Sequence, residues 1–176
     1  LKLRVLLTLC AAGLAAGLLL GRMLQHEPSR PERTVQLFTD ICVPFSHGQL
    51  SAPPEGLGLV RNDLLPRERR WTDPVSASHL RLDEHTCSIS TNAPHALTKA
   101  EGDALAADIE QVVAATFPNL AFDPKATLGD DVLFRAWMTG KAASPQRWGV
   151  SVYMFPDRGE RSGSLVSLTL PRSKAF

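Results

Sequence analysis

The sequence predicts an α+β domain behind an N-terminal membrane helix: a small antiparallel sheet, ending in a three-stranded meander, packed against one main helix. Three observations predict it. Residues 5–21 form an uncharged apolar run, residues 98–117 repeat apolar side chains at helical spacing, and three stretches beyond residue 131 alternate with a period of two.

The run VLLTLCAAGLAAGLLLG is preceded by Lys2 and Arg4 and followed by Arg22. Its 17 residues are near the lower limit for a span, and Met23 and Leu24 extend it once Arg22 reaches out to the head groups. The anchor is therefore placed at residues 1–24. A cleaved signal peptide also turns from basic to apolar. Here the apolar character continues through Leu18, Leu19 and Leu20, and Gly13-Leu14-Ala15 is a poor substitute for an A-x-A site. Retention is the preferred reading and cleavage the alternative. Leu9 before Cys10 is too large for a lipoprotein site. Both readings carry the following domain out of the cytoplasm. Arg outnumbers Lys 14 to 5, a bias of GC-rich bacterial genomes. The expected address is thus the bacterial inner membrane, single-pass, with the soluble domain in the periplasm.

Gly13, Gly17 and Gly21 recur every fourth residue, with Ala12 and Ala16 beside them. On a helix they leave a stripe almost free of side chains. Such stripes let membrane helices approach closely where lipid gives no hydrophobic drive for association. The expected partners are the lipid bilayer and, through this stripe, another membrane protein or a second copy of the chain.

The net charge of +1 conceals an asymmetry: residues 1–33 carry +3 and the remainder −2. A slightly acidic domain lacks the basic footprint of a nucleic-acid binder. Residues 25–33, with Pro28 and Pro31, read as an extended tether, and residues 34–176 make about one domain.

Within that domain, Leu37, Phe38, Ile41 and Cys42 share a helical face, so residues 34–45 are expected to form a short helix ended by Pro44. Residues 46–73, rich in Pro, Gly and Arg, read as a long irregular loop. Residues 79–91 read as extended, with a turn at Asp83-Glu84. Thr98-Lys99-Ala100-Glu101 has the form of a capping box, and Leu105, Ile109, Val112, Val113 and Phe117 follow on one face. The meander is expected at 132–138, 149–155 and 164–170, its last two strands joined through the polar turn 156–163. No internal repeat is visible in the sequence.

Cys42 and Cys87 lie in the exported part and are expected to pair, closing a loop of about 45 residues. His79, Asp83, Glu84, His85, Cys87 and His95 are near one another in sequence, but their spacing matches no ligand pattern of a zinc site, and a disulfide at Cys87 would cancel it. No metal or other cofactor is expected. The chain has no G-x-S-x-G elbow, Walker loop, H-E-x-x-H or dinucleotide fingerprint. No catalytic residue is therefore assigned. Arg135, Trp137, Tyr153 and Phe155, together with Trp148, are expected to share the second face of the meander as a binding surface or to pack beneath the 46–73 loop. The expected function is that of a non-enzymatic accessory subunit of an envelope complex. The alternatives are a periplasmic small-molecule or cell-wall-binding module and, third, a hydrolase with a scattered site.

Overall fold

The computed structural model describes residues 27–62, 69–124, 132–141 and 144–171. The expected anchor and its glycines, Gly13, Gly17 and Gly21, lie outside them. Among the described residues no helix is long and apolar enough to cross a membrane.

The domain is α+β, and its sheet is larger than expected. Helix α1 (Arg30–Leu37) continues through a π turn (Phe38–Cys42) into α2 (Val43–Ser46). Then follow β1 (Val60–Arg61), β2 (Arg70–Asp73), β3 (Ser78–Leu82), β4 (Thr86–Asn92), helix α3 (Lys99–Thr116), β5 (Ala121–Phe122), β6 (Leu133–Thr139), β7 (Trp148–Phe155), a 3-10 turn (Gly159–Arg161) and β8 (Gly163–Thr169). The strands form one sheet of eight in the order β1-β2-β3-β4-β8-β7-β6-β5, every pairing antiparallel. Each half of the chain is thus a helical segment followed by a four-stranded meander, and the last strands of the two meanders meet at the centre. The expected three-stranded meander is β6-β7-β8 within this larger sheet.

Two expectations about the first helix are corrected. It begins at Arg30, inside the stretch read as tether, because Ser29 and Glu32 form a reciprocal cap: Glu32 N–H donates to Ser29 Oγ at 3.4 Å and Ser29 N–H to Glu32 Oε2 at 2.7 Å. Pro31 falls in the first turn, where a missing N–H costs nothing. Nor does Pro44 end the helix. The π turn lengthens the ladder just ahead of it, with Val43 N–H donating to Phe38 O. That relieves the usual collision of a proline ring with the carbonyl four residues back. Leu37, Phe38, Ile41 and Cys42 are all fully buried.

Both helical segments lie on one face of the sheet. Cys42 in the π turn is bonded to Cys87 in β4, with Cα atoms 5.4 Å apart. Gly102 lets α3 settle onto β7, since a Cβ there would stand 1.9 Å from Met154 Sδ. Leu105, Ile109 and Val113 of α3 pack over Leu80, Ile89, Val152, Val166 and Leu168 to form the core. Thr98 caps α3 as expected.

A buried ion pair ties α1 to the edge of the sheet. Arg33 Nη2 lies 3.0 Å from Asp73 Oδ1, and the Arg33 guanidinium also donates to Gln36 Oε1 and Leu57 O. Asp73 Oδ2 accepts from Ser76 N–H at 2.8 Å and Ser76 Oγ at 2.6 Å. Burial alone would raise the Asp73 carboxyl; the hydrogen bonds from Arg33 and Ser76 and the charge of Arg33 bring it below its usual range.

Candidate functional site: the open face of the sheet

Strand register decides which side chains share the face opposite the helices. One row crosses β2, β3, β4, β8, β7 and β6 as Arg70, Arg81, Ser88, Ser167, Ser151 and Ala136. The row beside it is Thr72, His79, Ser90, Leu165, Tyr153 and Phe134. A third is Thr86, Thr169, Gly149, Met138 and Ala121, and a fourth is Asn92, Gly163 and Phe155.

These rows divide the face into three zones. Arg70, Arg81 and His79 stand toward β2 and β3. Serines fill the middle. Ser151 and Ser167 are 6% and 8% exposed. Toward β6 the face is aromatic: the Phe134 and Tyr153 rings stack with centroids 4.2 Å apart, and the Arg158 guanidinium lies over Phe155 at 5.4 Å. No Asp, Glu or Lys occurs in any of the rows. Thr72 Oγ1 and His79 Nδ1 are 3.3 Å apart, and the Asp83 carboxylate at this end of the sheet is paired with Arg81 at 2.9 Å.

The four residues expected to form a binding surface are not brought together. Tyr153 and Phe155 are on the open face. Arg135 and Trp137 point to the helix side, because Arg135 pairs with Val152 and Trp137 with Val150, both fully buried. Trp137 is 4% exposed and meets Phe122 at 6.3 Å, so it belongs to the core. Trp148 is likewise on the helix side, edge-on to Phe117 at 5.8 Å. The reason is the pleat. Alternation along β6 was read correctly, but which set faces the helix depends on a pairing that no local pattern encodes. Ser151 shares this face with Tyr153 and Phe155, as their alternation in β7 predicts, whereas Phe134 and Ser167 are members of the face that the sequence reading does not single out.

Cys42 and Cys87 pair as expected. Cys87, which two-residue spacing puts on the same side of the strand as His85, is closed into the disulfide, and His79 is on the opposite, open face. Among the described residues no cluster of three or more His, Cys, Asp or Glu side chains is placed to hold a metal ion.

No family model, no curated protein and no solved structure matches the chain.

Proposed function

We propose that the chain is a non-enzymatic envelope protein that acts by contact. In this reading an N-terminal helix holds it in the bacterial inner membrane, and the periplasmic domain presents the open face of its sheet to a protein partner. The observation that carries the reading is the composition of that face. A merely solvated sheet face has no reason to exclude Lys, Asp and Glu. The centres of protein interfaces are depleted in these residues and enriched in Tyr, Phe and Arg. The rows between Arg70 and Phe134 share the lack of Lys, Asp and Glu and carry Arg at one end and Tyr and Phe at the other, with serines, themselves scarce at interface centres, between them. The stripe of Gly13, Gly17 and Gly21 supports a further contact, helix to helix, within the bilayer.

The test is a pull-down of the tagged full-length chain from its own membranes in mild detergent. Ser167→Glu places a charge at the centre of the open face, and Glu110→Lys on the exposed side of α3 serves as control. A stoichiometric partner retained by the control and lost from Ser167→Glu is the expected result. Equal capture by all three forms, or by none, removes the reading. Leu at Gly13 and Gly17 separates the membrane contribution from that of the sheet.

A further inference from the structure

One end of the sheet gathers the start of α1, the β2–β3 turn, the segment from β4 to α3 and the β7–β8 turn. Strand pairing puts them there: Asp73 lies across from Ser78, Asn92 from Gly163, and Gly163 from Phe155. The turn at Asp83-Glu84 is at the other end, one length of β4 away, about 23 Å for its seven residues. Arg30, the first residue of α1, fastens the near end together. Its guanidinium donates to Ser76 O at 3.1 Å in the β2–β3 turn and to His95 O in the segment before α3, and it lies 3.9 Å from Glu101 Oε1 in the first turn of α3.

The tip of this end is built from small and apolar residues. Residues 74–78 are Pro-Val-Ser-Ala-Ser and residues 92–97 Asn-Ala-Pro-His-Ala-Leu, without Asp, Glu, Lys or Arg. Pro74, Pro94 and His95 are exposed, and Val75 is 56% exposed. Among the described residues the other exposed large apolar side chains, Val60 and Phe122, are on the edge strands β1 and β5. Val75 instead sits on a turn fixed from both sides, since Ser76 N–H donates to Asp73 and Ser76 O accepts from Arg30. The proposed anchor arrives at this same end. Five residues, 25–29, separate Leu24 from Arg30. Fully stretched they span roughly 18 Å, of which the lipid head groups take up about 5–8 Å. The tether is shorter than the sheet is long, so it keeps the near end beside the bilayer.

We infer that this end rests on the lipid surface, with Val75, Pro74 and Pro94 in the head-group layer and the strands standing away from the bilayer. Lipid contact here presupposes the membrane anchor proposed above, and it turns the open face sideways, toward a protein standing in the same membrane. Asp157, Arg158, Glu160 and Arg161 in the β7–β8 turn sum to zero charge, so the contact is apolar and does not call for anionic lipid.

The test uses the full-length chain with Cys10→Ala, reconstituted in phosphatidylcholine vesicles that include a lipid with a nitroxide on its head group. A fluorophore is attached at Val75→Cys, His95→Cys, Glu84→Cys or Ser88→Cys, one per chain, with the Cys42–Cys87 disulfide left oxidised. Quenching is expected at Val75 and His95, at the near end, and not at Glu84, in the far turn, or Ser88, on the open face. Val75→Asp in the chain labelled at His95 should reduce quenching about twofold or more, because a charge replaces the apolar contact. A chain that does not float with the vesicles removes the anchor and the lipid contact together. A chain that floats with equal quenching at every position, or with none at Val75, leaves the anchor standing and overturns the contact alone. Strongest quenching at Ser88 overturns it as well, because the open face would then lie on lipid. Unchanged quenching at His95 in the Val75→Asp chain reduces the contact to proximity and overturns it too.

Discussion

Asp73 shows how one side chain joins layers of the molecule. It is fully buried, bonded to Arg33 from α1 and to Ser76 in the turn after β2. Asp73→Ala leaves Arg33 buried and unpaired, so a loss of about 3–5 kcal/mol is expected in urea unfolding. The carboxyl is lowered from its ordinary value of 3.8. The folded state therefore takes up this proton less readily than the unfolded chain. The resulting stability is fully present above the unfolded value and disappears as pH falls from about 4 through the folded value. Urea midpoints measured across that window should decline in the native chain and decline less in Asp73→Asn. Thr98 is a simpler case. Thr98→Ala removes the acceptor for Glu101 N–H and should cost about 1 kcal/mol. The Thr98 cap was legible because an apolar helical period follows it. The equivalent Ser29-x-x-Glu32 pattern was hidden by two prolines and alternating charges, although a proline in the first turn is compatible with a helix.

The elements show the same division between what is local and what is not. Helix α3, strands β3 and β4 with their turn at Asp83-Glu84, and strands β6 to β8 agree with their periodicity to within a residue or two. Strands β1 and β5, two residues each, are too short for any period to register. Strand β2, Arg-Trp-Thr-Asp, is polar on the open side, and its four residues carry no period that sets them apart from the loop before them. Gly149 marks a place where pairing demands a missing side chain. A Cβ there would stand 2.1 Å from the Trp137 carbonyl oxygen across the β6–β7 ladder. Gly149→Ala should therefore destabilise the domain by about 1–3 kcal/mol, read from thermal melts. The disulfide closes a segment of 45 residues between the π turn and β4. In the entropic account, breaking it lowers stability by about 4 kcal/mol. Unfolding with and without reductant measures that difference, and Cys42→Ala/Cys87→Ala should abolish it.

At the scale of the whole molecule, the sequence was least informative about pairing. It held the alternation of β4 and β8 but nothing that set one beside the other, and that contact turns two meanders into one sheet. The two halves share a topology without a visible sequence repeat, so the symmetry could only be seen in space. The open face follows from the same contact, since its serine centre is assembled from β4, β8 and β7. The order of strands also has a temporal meaning. Strand β8 is synthesised after the other seven described strands, yet it occupies the middle of the sheet. Until it arrives, β4 is a frontier strand with a free row of backbone donors and acceptors, the situation that invites pairing between chains. Cys42, Cys87 and the first meander are all complete by then. A chain cut after residue 158 would lose its seam rather than its hem. It should elute as aggregates or as exchanged dimers in size-exclusion chromatography, while a chain cut after residue 171 should remain single. The sheet is thus a structure that β8 closes.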